Sequence, residues 1–193
     1  MTIEDTAELR LRGGHVVRLE ARPANADGAG EQRIRDLVRN ALRMRPDRIV
    51  VGEVRGDEAL DMLQAMNTGH EGSLATVHAN SATDAMSRLE TLATMSELEL
   101  PVTTLRDQIN SAIDVVVHLE RGADGRRYVG EVAAVVSRRR EDYELVPLIT
   151  FEQDPLGPER RVTGRFVTHP MPADLVERLR RHGEDVGTGA VVL

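Results

Sequence analysis

Two carboxylates and two imidazoles stand where this chain could do chemistry. Glu53 follows the apolar run Ile49-Val50-Val51-Gly52, and His78 closes the run Ser73-Leu74-Ala75-Thr76-Val77. In a parallel α/β sheet, residues at the carboxyl ends of strands face the ligand crevice. A carboxylate and an imidazole delivered to one such rim could orient a water molecule and take its proton. Glu4, in the acidic pair Glu4-Asp5 near the start of the chain, would be a second carboxylate at a strand end. His70 precedes His78 by eight residues. That separation does not suit the i, i+4 pairing of a two-histidine helical metal site, so no protein metal site is expected.

The elements that must position these groups are legible from periodicity. Ile49-Val50-Val51 is too apolar for a half-exposed strand and predicts a buried parallel one. Asp57 to Met66 predicts a helix with Ala59, Leu60, Leu63 and Met66 on one face and Gly69 just past its end. Gly72 to His78 predicts the next strand. Upstream, Val16 to Arg22 fits a strand beside the one ending at Glu4, and Pro23 to Gly30 is a polar loop. Glu31 to Arg45 then predicts a helix with Ile34, Leu37, Val38, Ala41 and Leu42 inward, ended by Pro46. Its basic face carries Arg33, Arg35, Arg39 and Arg43; a solvated face is expected for the first three.

Further along, Ser81-Ala82-Thr83-Asp84 predicts an N-cap for a helix through Ala85, Leu89, Leu92 and Met95. Another helix is predicted from Pro101 to Ala112. Ile113 to Glu120, the turn Gly122-Ala123-Asp124-Gly125 and Tyr128 to Val136 predict a β-hairpin. Arg138-Arg139-Arg140 reads as a short basic turn. Glu144 to Phe151 is a further strand, and Asp174 to His182 an amphipathic helix after a Pro-rich tail.

Composition removes several function classes. The chain has 193 residues, 40% hydrophobic and 30% charged, as expected of a globular domain. A net charge of −7, with two Phe, two Tyr and no Trp, argues against a nucleic-acid surface. Zero cysteine excludes disulfides and thiolate metal sites. No apolar run approaches the length of a membrane-spanning helix, and no signal peptide opens the sequence.

Arg43-Met-Arg-Pro-Asp-Arg-Ile-Val-Val-Gly-Glu-Val-Arg-Gly56 resembles the Walker B segment of the type II/type IV secretion ATPases, in particular the CpaF-like, tight-adherence (Flp pilus) branch. Thr68-Gly-His-Glu-Gly-Ser-Leu-Ala-Thr-Val-His-Ala-Asn80 is similar to that family's histidine box, and Met1-Thr-Ile-Glu-Asp-Thr-Ala-Glu-Leu9 to its aspartate box. The likeness runs to about Val136 and more loosely beyond. It implies a RecA-like α/β P-loop ATPase core, ATP and magnesium as cofactors, and a homo-hexameric ring. That ring would be cytoplasmic, peripheral to the bacterial inner membrane, and coupled to a pilus or secretion platform protein. It also implies roles: Glu53 as the acid that positions water, Glu4 assisting with magnesium or water, and His78 and His70 sensing the γ-phosphate. Arg43 and Arg45 would reach nucleotide phosphates within or between subunits, a task suited to the fixed guanidinium fork.

One motif is missing. All 25 of the Lys+Arg residues are arginine, and a P-loop needs its lysine. The resemblance therefore implies the distal part of the ATPase core, downstream of the P-loop. Residues 1–152 are expected to form this partial ATPase domain, with a hairpin at its end, and 153–193 a tail with one helix. The rival is a non-catalytic assembly subunit that keeps the fold for interaction; a nucleic-acid module is a weaker third. The strands Ile49–Val51 and Ser73–His78 both read as buried on two sides, so a chain without its proximal half is expected to expose an apolar edge or face and to be marginally stable or to self-associate without closing into a hexamer.

Overall fold

The computed structural model describes residues 1–137 and 142–184; the basic turn Arg138-Arg139-Arg140 lies outside them. Strands β1 (Thr2–Glu4), β2 (Arg18–Glu20), β3 (Val50–Val51) and β4 (Leu74–Ala75) form a parallel sheet in the order β2-β1-β3-β4. Four helices serve it: α1 (Ile34–Met44), α2 (Glu58–Asn67), α3 (Ala82–Ala93) and α4 (Val102–Ala112). Their apolar stripes and the sheet bury Ile3, Val38, Ile49, Val51, Leu63, Met86, Leu92 and Ile109 in one core. Each such side chain contributes on the order of 2 kcal/mol by leaving water.

The helix boundaries follow local chemistry. At the start of α1, Asp36 accepts a hydrogen bond from the backbone N–H of Arg33 (3.2 Å). The helix stops at Met44 because Arg45 turns left-handed, with φ 49°, directly before Pro46. Ser81 caps α3 as predicted, its hydroxyl accepting from the N–H of Asp84 at 3.0 Å.

Arg35 departs from the expected solvated face. It is 3% exposed, with its guanidinium 2.7 Å from Asp57 and 2.9 Å from Asp61 on the first turn of α2. Arg39 reaches the other oxygen of Asp61 at 2.9 Å. Burial pushes the Arg35 guanidinium down. The hydrogen bond to Asp61 and the charges of Asp61, Asp57 and Glu97 outweigh that, and its pKa ends above the ordinary arginine value. The basic stripe of α1 is thus in part an inter-helix clamp.

The two strands expected to be buried on both sides differ. β3 is internal, paired with β1 and β4, and Ile49 and Val51 are buried. β4 is the edge of its sheet, and its Leu74 is 62% exposed. A strand with one neighbour cannot bury both flanks, however apolar its sequence.

The rest of the chain builds an antiparallel sheet, β5 (Val115–Arg121), β6 (Arg127–Val135), β7 (Leu145–Gln153) and β8 (Gly164–Thr168), in that order. The predicted hairpin is β5–β6, turning through Gly125 at φ 80°. β7 runs through the expected boundary at 152/153, and β8 pairs with it in what the sequence presents as tail. Residues 153–168 therefore extend the hairpin sheet before helix α5 (Ala173–Arg181). Three of the four aromatic residues cross this sheet as a ladder, Tyr128–Phe151–Phe166, with centroids 4.9 and 5.3 Å apart. Arg178 ties α5 back to Asp114 at 2.6 Å.

Candidate functional site

β1 and β3 are parallel neighbours in register Ile3↔Val51, so Glu4 and the Gly52-Glu53 pair leave the sheet from the same edge. Glu4 is 4% exposed. Its Oε1 accepts from the backbone N–H groups of Glu8 (3.1 Å) and Leu9 (2.9 Å), fixing the path of the chain as it leaves β1. A Cβ at Gly52 would stand 2.9 Å from Cγ of Glu4. Only glycine lets β3 pass this carboxylate without displacing it.

Beyond the strand ends the β3–β4 pairing continues through two bonds. The N–H of Val54 donates to the carbonyl of Thr76 (2.9 Å), and the Thr76 hydroxyl donates to the carbonyl of Gly52 (2.6 Å). These bonds set Glu53 opposite His78. Glu53 Oε2 lies 2.5 Å from Nη2 of Arg55, and Oε1 lies 2.9 Å from Nε2 of His78. Oε1 is buried yet takes part in no well-aligned hydrogen bond among the described residues. Its approach to His78 is a close polar contact without hydrogen-bond geometry. The hydrogen bond from Arg55 holds the Glu53 carboxyl below the usual carboxylate range; burial opposes this, and the charges of Arg55 and His78 add to it. Glu53 is therefore an ionised acceptor whose Oε1 has no aligned hydrogen-bond donor among the described residues, with His78 Nε2 the polar group beside it.

The turn carrying Glu53 is itself held. Glu58, 8% exposed, accepts from the N–H groups of Arg55 (2.6 Å) and Gly56 (2.9 Å). Asp57 is fixed by Arg35. Sequence reasoning passed over Arg55, Glu58 and Arg35 as functional residues. An acid in the first turn of a helix is a recognisable signal for Glu58. Nothing local marks Arg35, whose partners lie 22 and 26 residues away.

The other proposed residues sit at the opposite edge. Nδ1 of His70 is 3.3 Å from the carbonyl oxygen of Ala65 near the end of α2. The His70 carbonyl accepts from the Ser73 hydroxyl (2.7 Å), which in turn accepts from the N–H of Ile49, just ahead of β3. His70 thus lies at the amino-terminal edge of the sheet. Arg43 and Arg45, both exposed, are there too, because α1 returns the chain from the carboxyl end of β2 to the start of β3. The structure brings Glu53 and His78 together, sets Glu4 at the same rim on the neighbouring strand, and places His70, Arg43 and Arg45 away from them. Within one chain, the two arginines cannot address the Glu53 rim without crossing the sheet.

A partial RecA-like α/β core with a carboxylate rim is the class these features define, and residues 1–144 match the family described as Type II/IV secretion system protein. The chain belongs to that family. It is 50% identical over 133 residues to the Mycobacterium tuberculosis protein Rv3659c, a conjugal transfer protein by name, a match covering 69% of this chain and 37% of the relative. It is 37% identical over 152 residues to conjugal transfer protein TrbB of Rhizobium radiobacter, covering 79% of this chain and 43% of TrbB. Among solved structures it resembles the VirB11 ATPase of the Brucella suis type IV secretion system, with TM-score 0.60 and 33% identity over 69% of this chain and 39% of that one. The matches span less than half the length of these relatives. Among the described residues no helix is long and apolar enough to cross a membrane.

Proposed function

We propose that this chain supplies the water-activating rim of an ATP-hydrolysing motor that drives pilus assembly or secretion. The observation that carries the reading is the buried, unsatisfied Oε1 of Glu53 at the carboxyl rim of a parallel sheet, flanked by Arg55 and His78. Hydrolysis of a triphosphate asks the protein chiefly for positioning and charge, with one group aimed at the attacking water. Glu53 is that group. His78, 90% exposed and touching Glu53, couples a phosphate in the crevice to it in this reading. Glu4 has committed Oε1 to the backbone, so its second oxygen is the one that could help order magnesium or water. Magnesium, when bound, would neutralise charge on the phosphates.

The residues present fit only one side of a nucleotide. The phosphate cradle needs a lysine, and this sequence has none. ATP binding and turnover therefore belong to a protein in which this segment is joined to a P-loop. His70, Arg43 and Arg45 then act, if on phosphate, from a neighbouring subunit of a ring. We take that ring to be a hexamer on the cytoplasmic side of the inner membrane, docked on a platform protein. The motif sequences favour the CpaF-like, tight-adherence branch; the relatives named for conjugal transfer make a transport machine the common denominator. The lysine-free composition favours one second reading, a non-catalytic ring subunit.

The test uses two proteins: this chain, and a chimera joining to it the residues of Rv3659c that lie outside the matched segment. The isolated chain is expected to show no ATP hydrolysis above a protein-free blank. The chimera is expected to hydrolyse ATP in a Glu53-dependent way. A chimera that turns over ATP equally with Glu53→Gln assigns Glu53 elsewhere, and a folded chimera that binds ATP without turning it over leaves the non-catalytic subunit.

A further inference from the structure

Glu58 is a carboxylate buried at a place where burial is costly unless the charge is met by donors. It stands on the first turn of α2, 8% exposed, where any acid gains from the helix dipole. Its Oε1 nevertheless turns back out of the helix. It accepts from the backbone N–H groups of Arg55 (2.6 Å) and Gly56 (2.9 Å), which belong to the turn between β3 and α2. The backbone gripped in this way is the root from which the Arg55 side chain reaches Oε2 of Glu53 at 2.5 Å.

We propose that Glu58 is a positioning residue for Glu53, acting through Arg55. The inference rests on the reading of Glu53 as the carboxylate that orients water. The last torsion of a glutamate is soft, so the partner of one carboxylate oxygen decides where the other points. Arg55 holds Oε2, and Oε1 is thereby left 2.9 Å from Nε2 of His78 with no aligned donor among the described residues. The Arg55 side chain is itself 67% exposed, and an exposed ion pair gains little beyond the entropy lost in ordering a long side chain. A fixed backbone at its root keeps the guanidinium within reach, and Glu58 fixes that backbone. In this role Glu58 needs reach rather than charge. A neutral acceptor of the same length grips the two N–H groups; a carboxylate one methylene shorter does not.

Two conservative substitutions separate reach from charge in the isolated chain, with the Glu53 carboxyl followed by NMR without nucleotide. Glu58→Asp keeps the charge and loses the reach; it is expected to raise the Glu53 midpoint by about one pH unit, the scale of an opposite charge withdrawn from contact. Glu58→Gln keeps the acceptor and is expected to leave the midpoint in place or slightly lower, since a neighbouring negative charge is gone. In an Arg55→Ala background, Glu58→Asp is expected to move the midpoint no further. In the Rv3659c chimera, Glu58→Asp should lower kcat about tenfold or more, a larger loss than Glu58→Gln gives, with the KM for ATP little changed. A parent chimera without turnover rejects the hydrolytic reading, and the raised midpoint by itself then upholds the hold of Glu58 on Glu53 through Arg55. The proposal is overturned by a midpoint that Glu58→Asp leaves in place, or that Glu58→Gln raises as far. It is overturned equally by a full rise in the Arg55→Ala background, or by a loss in the chimera confined to KM. Unfolding of the chain by either substitution, seen in the same spectra, also overturns it, because Glu58 then serves the fold.

Discussion

The two edges of the parallel sheet are built from similar residue types and hold them in different contacts. At the carboxyl rim, Glu53, Arg55 and His78 form a close cluster, and β1 beside it presents Glu4. At the amino-terminal edge, Arg43 and Arg45 project from the end of α1, and His70 helps close the end of α2 through its contact with the Ala65 carbonyl. The first edge concentrates an ionised carboxylate with an unsatisfied oxygen. The second offers exposed cations and a histidine with backbone partners. Proximity in sequence misleads here: Arg45 is nearer to Glu53 along the chain than His78 is, yet His78 is the one in contact.

The comparison breaks first at Glu53. In the chimera, Glu53→Gln should lower turnover by about 10² to 10⁴-fold, the range for loss of a general base, while ATP affinity stays within a few-fold. Equal losses in binding and turnover would make Glu53 a binding or folding residue. At the other edge, Arg43→Ala and Arg45→Ala should leave nucleotide binding by a dissociated protomer unchanged. Each should reduce turnover about tenfold or more only in the assembled ring, as expected of arginines that act on a neighbour's phosphate. Rings mixed from arginine-deficient and Glu53-deficient subunits would sharpen the point, because complementation requires the two edges to face each other across an interface.

The scaffold under the carboxyl rim can be tested by itself. Arg35→Ala leaves Asp57 and Asp61 without their buried partner and should cost on the order of 3 kcal/mol in urea unfolding of the isolated chain. A loss below about 1 kcal/mol would mean that the α1–α2 clamp is dispensable.

Acid titration comes next in size. The Glu53 carboxyl is depressed in the folded chain, first by the Arg55 hydrogen bond. Its contribution to stability is therefore present above the ordinary carboxylate value of about 4.3 and lost as pH falls through the depressed one. Arg55→Ala should raise the Glu53 midpoint followed by carboxyl NMR, and should flatten the stability loss in that acid window. An unmoved midpoint would assign the depression elsewhere. Smallest of all, Ser81→Ala should cost about 1 kcal/mol through the lost α3 cap, with the Glu53 titration unchanged.

Much of this molecule was legible without coordinates because local patterns report local structure. The 3.6-residue stripes marked α1 to α5, the Asp-Gly turn marked the β5–β6 hairpin, and the apolar run before Glu53 marked β3. β8 was harder to see. It is five residues long, starts at Gly164 and carries an arginine and a threonine. A Cβ at Gly164 would collide with the Glu152 carbonyl oxygen of the neighbouring strand, a constraint invisible until β7 is in place.

By itself the sequence determined the family, the order of the elements as far as β7, the apolar residues that fill the core and the absence of any lysine in these 193 residues. Those properties depend on residue type and short-range periodicity. Only the tertiary structure decided which strand is internal and which is an edge, since burial of a strand is set by neighbours tens of residues away. It decided likewise that Arg35 is buried against two aspartates of the next helix, and that Glu53 meets His78 while His70 and the arginines lie across the sheet. The physical reason is direction. In a parallel sheet every strand returns its carboxyl end to one rim, and each crossover helix carries the intervening residues to the other.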